Sequence, residues 1–129
     1  MSEQIAASVS FIKSQTRLKP STAIVLGSGL GDFADRLDKR VSILASSVPF
    51  YPGSTVEGHS GQIVFGRLRG VPLLVFKGRV HYYESGDIQS VLYPVWLAAA
   101  LGIKSLIMTN AAGAVNERFS PGDLMLITD

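Results

Sequence analysis

Pro20-Ser21-Thr22-Ala23-Ile24-Val25-Leu26-Gly27-Ser28-Gly29-Leu30-Gly31 decides the fold class of this chain. Its centre, Ala23 to Leu26, is a short continuous apolar run bounded by Pro20 and Gly27, the pattern of a strand buried on both faces. With the glycines and the helical spacing that follow, it reads as a strand, glycine loop, helix unit. Upstream, Ile5, Val9 and Ile12 recur at helical spacing and predict a helix over residues 3–16, ended by Lys19-Pro20. Downstream of the glycines, Phe33 and Leu37 stand four apart and predict a second helix from Asp32 to Lys39.

Further out, Pro49, Pro52, Gly53, Gly58 and Gly61 crowd residues 46–61 and predict an irregular excursion, a kind of loop often used for function. Gln62 to Leu68 and Val71 to Lys77 are β-rich runs separated only by Arg69-Gly70, the signature of an antiparallel hairpin. Ile88, Val91, Leu92, Val95, Trp96 and Ala99 form an apolar helical stripe with Pro94 inside it and Gly102 closing it. Ser105 to Thr109 and Leu124 to Thr128 predict two more buried strands. Strands interleaved with helices, plus one hairpin, make this an α/β chain with a mixed sheet, a single domain over residues 1–129.

Composition narrows the function classes. Without cysteine there are no disulfides or thiolate metal sites, and two histidines far apart in sequence predict no metal. The formal net charge is +2 and the basic residues are scattered, so no nucleic-acid stripe is expected. The start, Met1-Ser2-Glu3-Gln4, lacks the order of a signal peptide, and the longest apolar stretch, Val91 to Ile103, falls short of the roughly 20 residues that cross a bilayer. A cytoplasmic protein with no membrane partner is expected.

Three segments carry chemistry. Gly27 to Gly31 follows a strand and enters a predicted helix, so its backbone N–H groups and the Ser28 hydroxyl can converge on an anion. The same loop suits a dinucleotide, although the acidic ribose-binding residue expected of such a fold is not evident. It is not a Walker loop, since no Gly-Lys-Ser/Thr follows. Lys77-Gly78-Arg79-Val80-His81-Tyr82-Tyr83-Glu84 ends an apolar strand with Arg79, His81 and Tyr83 at alternate positions. Continued extension would set all three on one side, a wall for an oxyanion and a hydroxylated substrate. Glu84 can orient and charge His81. Tyr51 and Tyr82 read as packing residues, Trp96 and Phe76 as core. Thr109-Asn110-Ala111-Ala112-Gly113 ends another strand with small side chains that let a ligand approach the backbone. His59 lies in the glycine-rich excursion, where it is either a second histidine over the anion or an idle loop residue.

Taken together, Gly27-Ser28-Gly29-Leu30-Gly31, Ser54-Thr55-Val56-Glu57-Gly58-His59, Gly78 to Ser85 and Thr109 to Gly113 resemble, in order and spacing, the trimeric purine nucleoside phosphorylases. The resemblance spans nearly the whole chain. It implies a three-layer nucleoside phosphorylase-like fold with a mixed central sheet flanked by helices, incomplete at the C-terminus because family members run well beyond this length. It also implies phosphorolysis, in which inorganic phosphate as co-substrate attacks the anomeric carbon of a purine nucleoside, with no cofactor. On this resemblance Ser28, His59, Arg79, His81 and Ala111 match phosphate-binding positions. Tyr83, Asn110, Ala111 and Ala112 match the nucleoside side, with Tyr83 on the ribose, and Glu84 matches the partner of the phosphate-site histidine. A homotrimer is implied as well. The purine-gripping residues are expected in the C-terminal half of the family's chain, which makes a phosphate-binding fragment or interaction module the alternative reading.

Overall fold

A computed structural model of the chain describes residues 2–53 and 61–128. Helix α1 (Ser2–Gln15) leads into strand β1 (Thr22–Leu26), and a six-residue 3-10 turn (Gly31–Arg36) leads into strand β2 (Asp38–Leu44). Strands β3 (Gln62–Leu68) and β4 (Val71–Lys77) form the predicted hairpin, Arg69 and Gly70 both adopting positive φ at its tip. A single helical turn, α2 (Tyr82–Ser85), helix α3 (Ile88–Ala100) and strand β5 (Ser105–Met108) complete the element order.

The sheet runs β2-β3-β4-β1-β5. Strand β1 pairs in parallel with both β4 and β5, while β2–β3 and β3–β4 are antiparallel, so the mixed sheet read from the sequence is the one that forms. Alternation along the strands sorts the core into two faces. Ala23, Val25, Ile63, Phe65, Leu74 and Phe76 pack with Ile5 and Ile12 of α1 and Tyr93, Leu97 and Ala98 of α3. On the opposite face Ile24, Leu26, Val64, Leu73 and Val75 meet Ala34 and Leu37. Fully burying side chains such as Phe76 or Leu97 contributes about 1.5–3 kcal/mol each, enough to hold the helical layer on the sheet. Among the described residues the third layer is the 31–37 segment alone.

Several expectations are corrected. The helix predicted over residues 32–39 is the 3-10 turn followed by β2, because Phe33, Ala34 and Leu37 satisfy their apolar spacing by packing on the sheet. Strand β5 forms where expected but is not buried: Ile107 and Met108 are at least half exposed, since β5 is an edge strand covered on one side only. Leu124 to Thr128 forms no strand and is exposed; a strand needs a hydrogen-bonding neighbour, and among the described residues none runs beside it. Pro94 is accommodated within α3 and buried, while Asp87 caps the helix by accepting from the N–H groups of Gln89 and Ser90.

Candidate functional site

The three parallel strands β1, β4 and β5 all end on the same side of the sheet, and the chemistry-bearing segments are the residues that follow them. This is the edge at which open α/β sheets hold ligands. Gly27 begins the loop after β1, Gly78-Arg79 follows β4, and Thr109 follows β5. Side-chain hydrogen bonds tie the three together. The Thr109 hydroxyl donates to the Val25 carbonyl at 3.0 Å and accepts from the Gly27 N–H at 2.9 Å, and the Arg79 guanidinium Nη1 donates to the Thr109 carbonyl at 3.2 Å. The close fit depends on glycine: a Cβ at position 27 would stand 2.7 Å from both the Asn110 Cα and the Thr109 carbonyl oxygen.

A cavity of about 430 Å³ opens over these strand ends. Ser28, Arg79, His81, Tyr83 and Glu84 all line it, so five of the expected site residues share one space. The route by which they do so differs from the extended wall expected from alternation. The strand stops at Lys77, Gly78 turns the backbone with φ 97°, and Tyr82 begins α2. Glu84 Oε1 accepts from the His81 main-chain N–H at 2.7 Å, closing this turn, and the His81 ring stacks on Tyr83 with centroids 5.1 Å apart. A carboxylate, an imidazole and a phenol are thereby presented by one short turn next to a guanidinium. A second hollow of about 390 Å³, lined by residues including Gln4, Phe50, Asp87 and Tyr93, has no arginine, lysine or histidine in its described lining and is not suited to an anion.

Asn110, Ala111 and Ala112 are exposed and follow Thr109 beyond the described lining of the cavity, with the Asn110 backbone against Gly27. His59 lies outside the described residues. Among those residues there is no group of acidic, histidine or cysteine side chains that could hold a metal.

Among the lining residues that the sequence did not mark as site candidates, two carry chemistry of note. Tyr51, expected to be packing only, lines the cavity and meets Tyr93 edge-on at 5.8 Å. Burial pushes its phenol well above the usual tyrosine range, with Tyr93 adding to the effect. Tyr93 in turn bonds the buried Ser8 hydroxyl at 2.8 Å, and Ser8 donates to the Pro49 carbonyl two residues before Tyr51. Lys77 is the other; its place as the last residue of a core strand was the available signal. Tyr82, also expected to pack, is exposed.

Residues 21–129 match the sequence profile of the phosphorylase superfamily. The chain belongs to that superfamily. Its similarity extends to individual members: purine nucleoside phosphorylase 1 of Geobacillus stearothermophilus is 47% identical over 97% of this chain and 46% of its own length. Purine nucleoside phosphorylase 1 of Bacillus subtilis (strain 168) is 45% identical over 100% of this chain and 48% of its own. Among solved structures, a purine nucleoside phosphorylase in complex with ribose-1-phosphate superposes with a TM-score of 0.85 at 36% identity, over 94% of this chain and 44% of that one. The Schistosoma mansoni enzyme in complex with adenosine gives 0.83 at 35% identity, over 94% and 42%. The chain spans about half the length of the curated relatives it matches. Phosphorylase-superfamily membership thus agrees with the mixed α/β fold.

Proposed function

We propose that this chain forms the phosphate- and ribose-facing part of a purine nucleoside phosphorylase, a pentosyltransferase of purine salvage. The observation that carries the reading is the convergence of Gly27, Arg79 and Thr109 at one end of the sheet, beside a cavity lined by Ser28, His81 and Tyr83. Inorganic phosphate would be held by the Arg79 guanidinium, the Ser28 hydroxyl and the His81 ring, with His59 and the Ala111 backbone as further donors. Tyr83, with Asn110, Ala111 and Ala112, would face the nucleoside. Phosphate is the co-substrate and no cofactor is required.

The chemistry follows from charge. As the bond from the anomeric carbon to the base loosens, its electron pair leaves with the base, which takes up a proton, and the sugar becomes cation-like. A phosphate anion fixed alongside stabilises that charge and then closes on the carbon, giving ribose 1-phosphate and free base. Arg79 and the Gly27 loop would position the anion, and Glu84 would hold the turn that carries His81. A homotrimer is inferred from the same family resemblance, and a cytoplasmic location from the apolar patterning of the sequence. Among the described residues no helix is long and apolar enough to cross a membrane.

The test is turnover of inosine with phosphate by this chain continued to the length of its relatives. Ribose 1-phosphate and hypoxanthine in equal amounts are expected; neither product appearing would overturn the proposal. A second reading, a phosphate-binding interaction module without turnover, is favoured by one feature: Ile107 and Met108 are exposed on the edge strand β5, and Leu124 and Leu126, later in the chain, are exposed as well. Phosphate binding with self-association on a sizing column, and no product, would select it.

A further inference from the structure

Lys77 is the last residue of β4, and its position in the strand puts it on the face of Leu73 and Val75, the side covered by the 31–37 segment. It lines the same cavity as Ser28 and Arg79. Its stem crosses Gly31, where an added Cβ would stand 3.1 Å from the Lys77 Cε, so the bare backbone at 31 makes room for the side chain. The ammonium ends 3.5 Å from Asp35 Oδ2, while Arg40 Nη1 holds the other carboxylate oxygen at 2.7 Å.

That asymmetry matters. The Arg40 contact is a short charge-assisted hydrogen bond, whereas 3.5 Å lies outside the usual range for N–H···O bonding. Asp35 is therefore matched mainly by Arg40, and Lys77 keeps most of its capacity as a three-donor point charge on a flexible stem. Arg79, by contrast, is fixed by its bond to the Thr109 carbonyl. One cation of the cavity is anchored and the other can move.

We propose that Lys77 is a second anion-binding cation of this cavity, exchanging its contact with Asp35 for an oxygen of the bound phosphate. Asp35 holds the ammonium at the rim until the anion arrives, and so competes with phosphate for it. The inference rests on the phosphate reading of the site and names the residue that tunes phosphate affinity there.

Titration calorimetry with inorganic phosphate tests it without relying on turnover. Lys77→Gln is expected to weaken phosphate binding about tenfold, and Lys77→Arg, which keeps the charge, to restore most of it. Asp35→Asn is expected to tighten binding in the native background and to lose most of that gain when combined with Lys77→Gln. Unchanged affinity in Lys77→Gln, or an Asp35→Asn gain that persists in full without the lysine, overturns the role of Lys77. No phosphate binding by the unsubstituted protein instead defeats the reading of the cavity itself. Far-UV circular dichroism of each variant separates lost binding from lost fold.

Discussion

The Arg79 guanidinium donates to the main-chain carbonyl of Thr109, so the cation after β4 is oriented by the residue after β5. Its remaining donors are left for the cavity. Arg79→Ala is expected to raise the apparent phosphate KM, each lost charge-assisted bond being worth about 1.5–3 kcal/mol. Initial rates at varied phosphate check this, and an unchanged KM would remove Arg79 from the site.

Gly27→Ala probes the same junction by steric means. The new methyl would stand 2.7 Å from two backbone atoms that cannot rotate away, so β5 and its following turn must shift. A stability loss of about 1–3 kcal/mol is expected in urea denaturation. An unchanged midpoint would mean that the 109–110 backbone yields freely.

Behind the cavity, Ser8 has one proton to give and two oxygen neighbours besides its own helix, the Pro49 carbonyl and the Tyr93 hydroxyl. With Ser8 donating to Pro49, Tyr93 supplies the other bond. Tyr93→Phe should cost about 0.5–1.5 kcal/mol, and Ser8→Ala more, about 1–3 kcal/mol, because it strands the buried Tyr93 hydroxyl and the half-buried Pro49 carbonyl together. Denaturation midpoints in the reverse order would contradict this network.

At the start of α3, the hydrogen bond from the Ser90 side chain, followed by that from the Gln89 N–H, holds the Asp87 carboxyl below its ordinary range. A carboxyl whose pKa is lowered by folding stabilises the fold above its unfolded value, about 3.9, and loses that contribution as pH falls through the lower folded value. Asp87→Asn should retain the cap near neutral pH and flatten this acid-side dependence, whereas Asp87→Ala should lose the cap at all pH values. Thermal melts between pH 2 and 7 distinguish the two, and identical profiles for both variants would refute the assignment.

The hairpin was legible to its ends because everything that fixes it is local: two β-rich runs and a two-residue turn whose residues, Arg69 and Gly70, both adopt positive φ. Strand β2 was not legible. It lies at the sheet edge, begins Asp38-Lys39-Arg40 with Lys39 at positive φ and a register shift before Val41, and is mostly exposed, so its alternation is confined to Val41-Ser42-Ile43, too short a run to read as a strand. Leu124 to Thr128 failed in the opposite sense, since an apolar run says what a strand would be made of but not whether a neighbour is there to pair with it. That Ser28, Arg79 and His81 share one cavity was readable from their positions in the segments that follow β1 and β4. The place of Tyr51 on the cavity was not legible, because it depends on the folding of distant segments around one space, whereas Lys77 carried a signal in being the last residue of a core strand.

The sheet order has a kinetic consequence. Strand β1 lies between β4 and β5, so during synthesis it leaves the ribosome well before either of its hydrogen-bonding neighbours exists. The β3–β4 hairpin can close on its own within microseconds, but β1 must wait to be inserted beside it by a parallel pairing of high contact order. A nascent chain of this topology carries Ala23 to Leu26 as an unmatched apolar segment until β4 has been made, the kind of exposed surface that promotes aggregation.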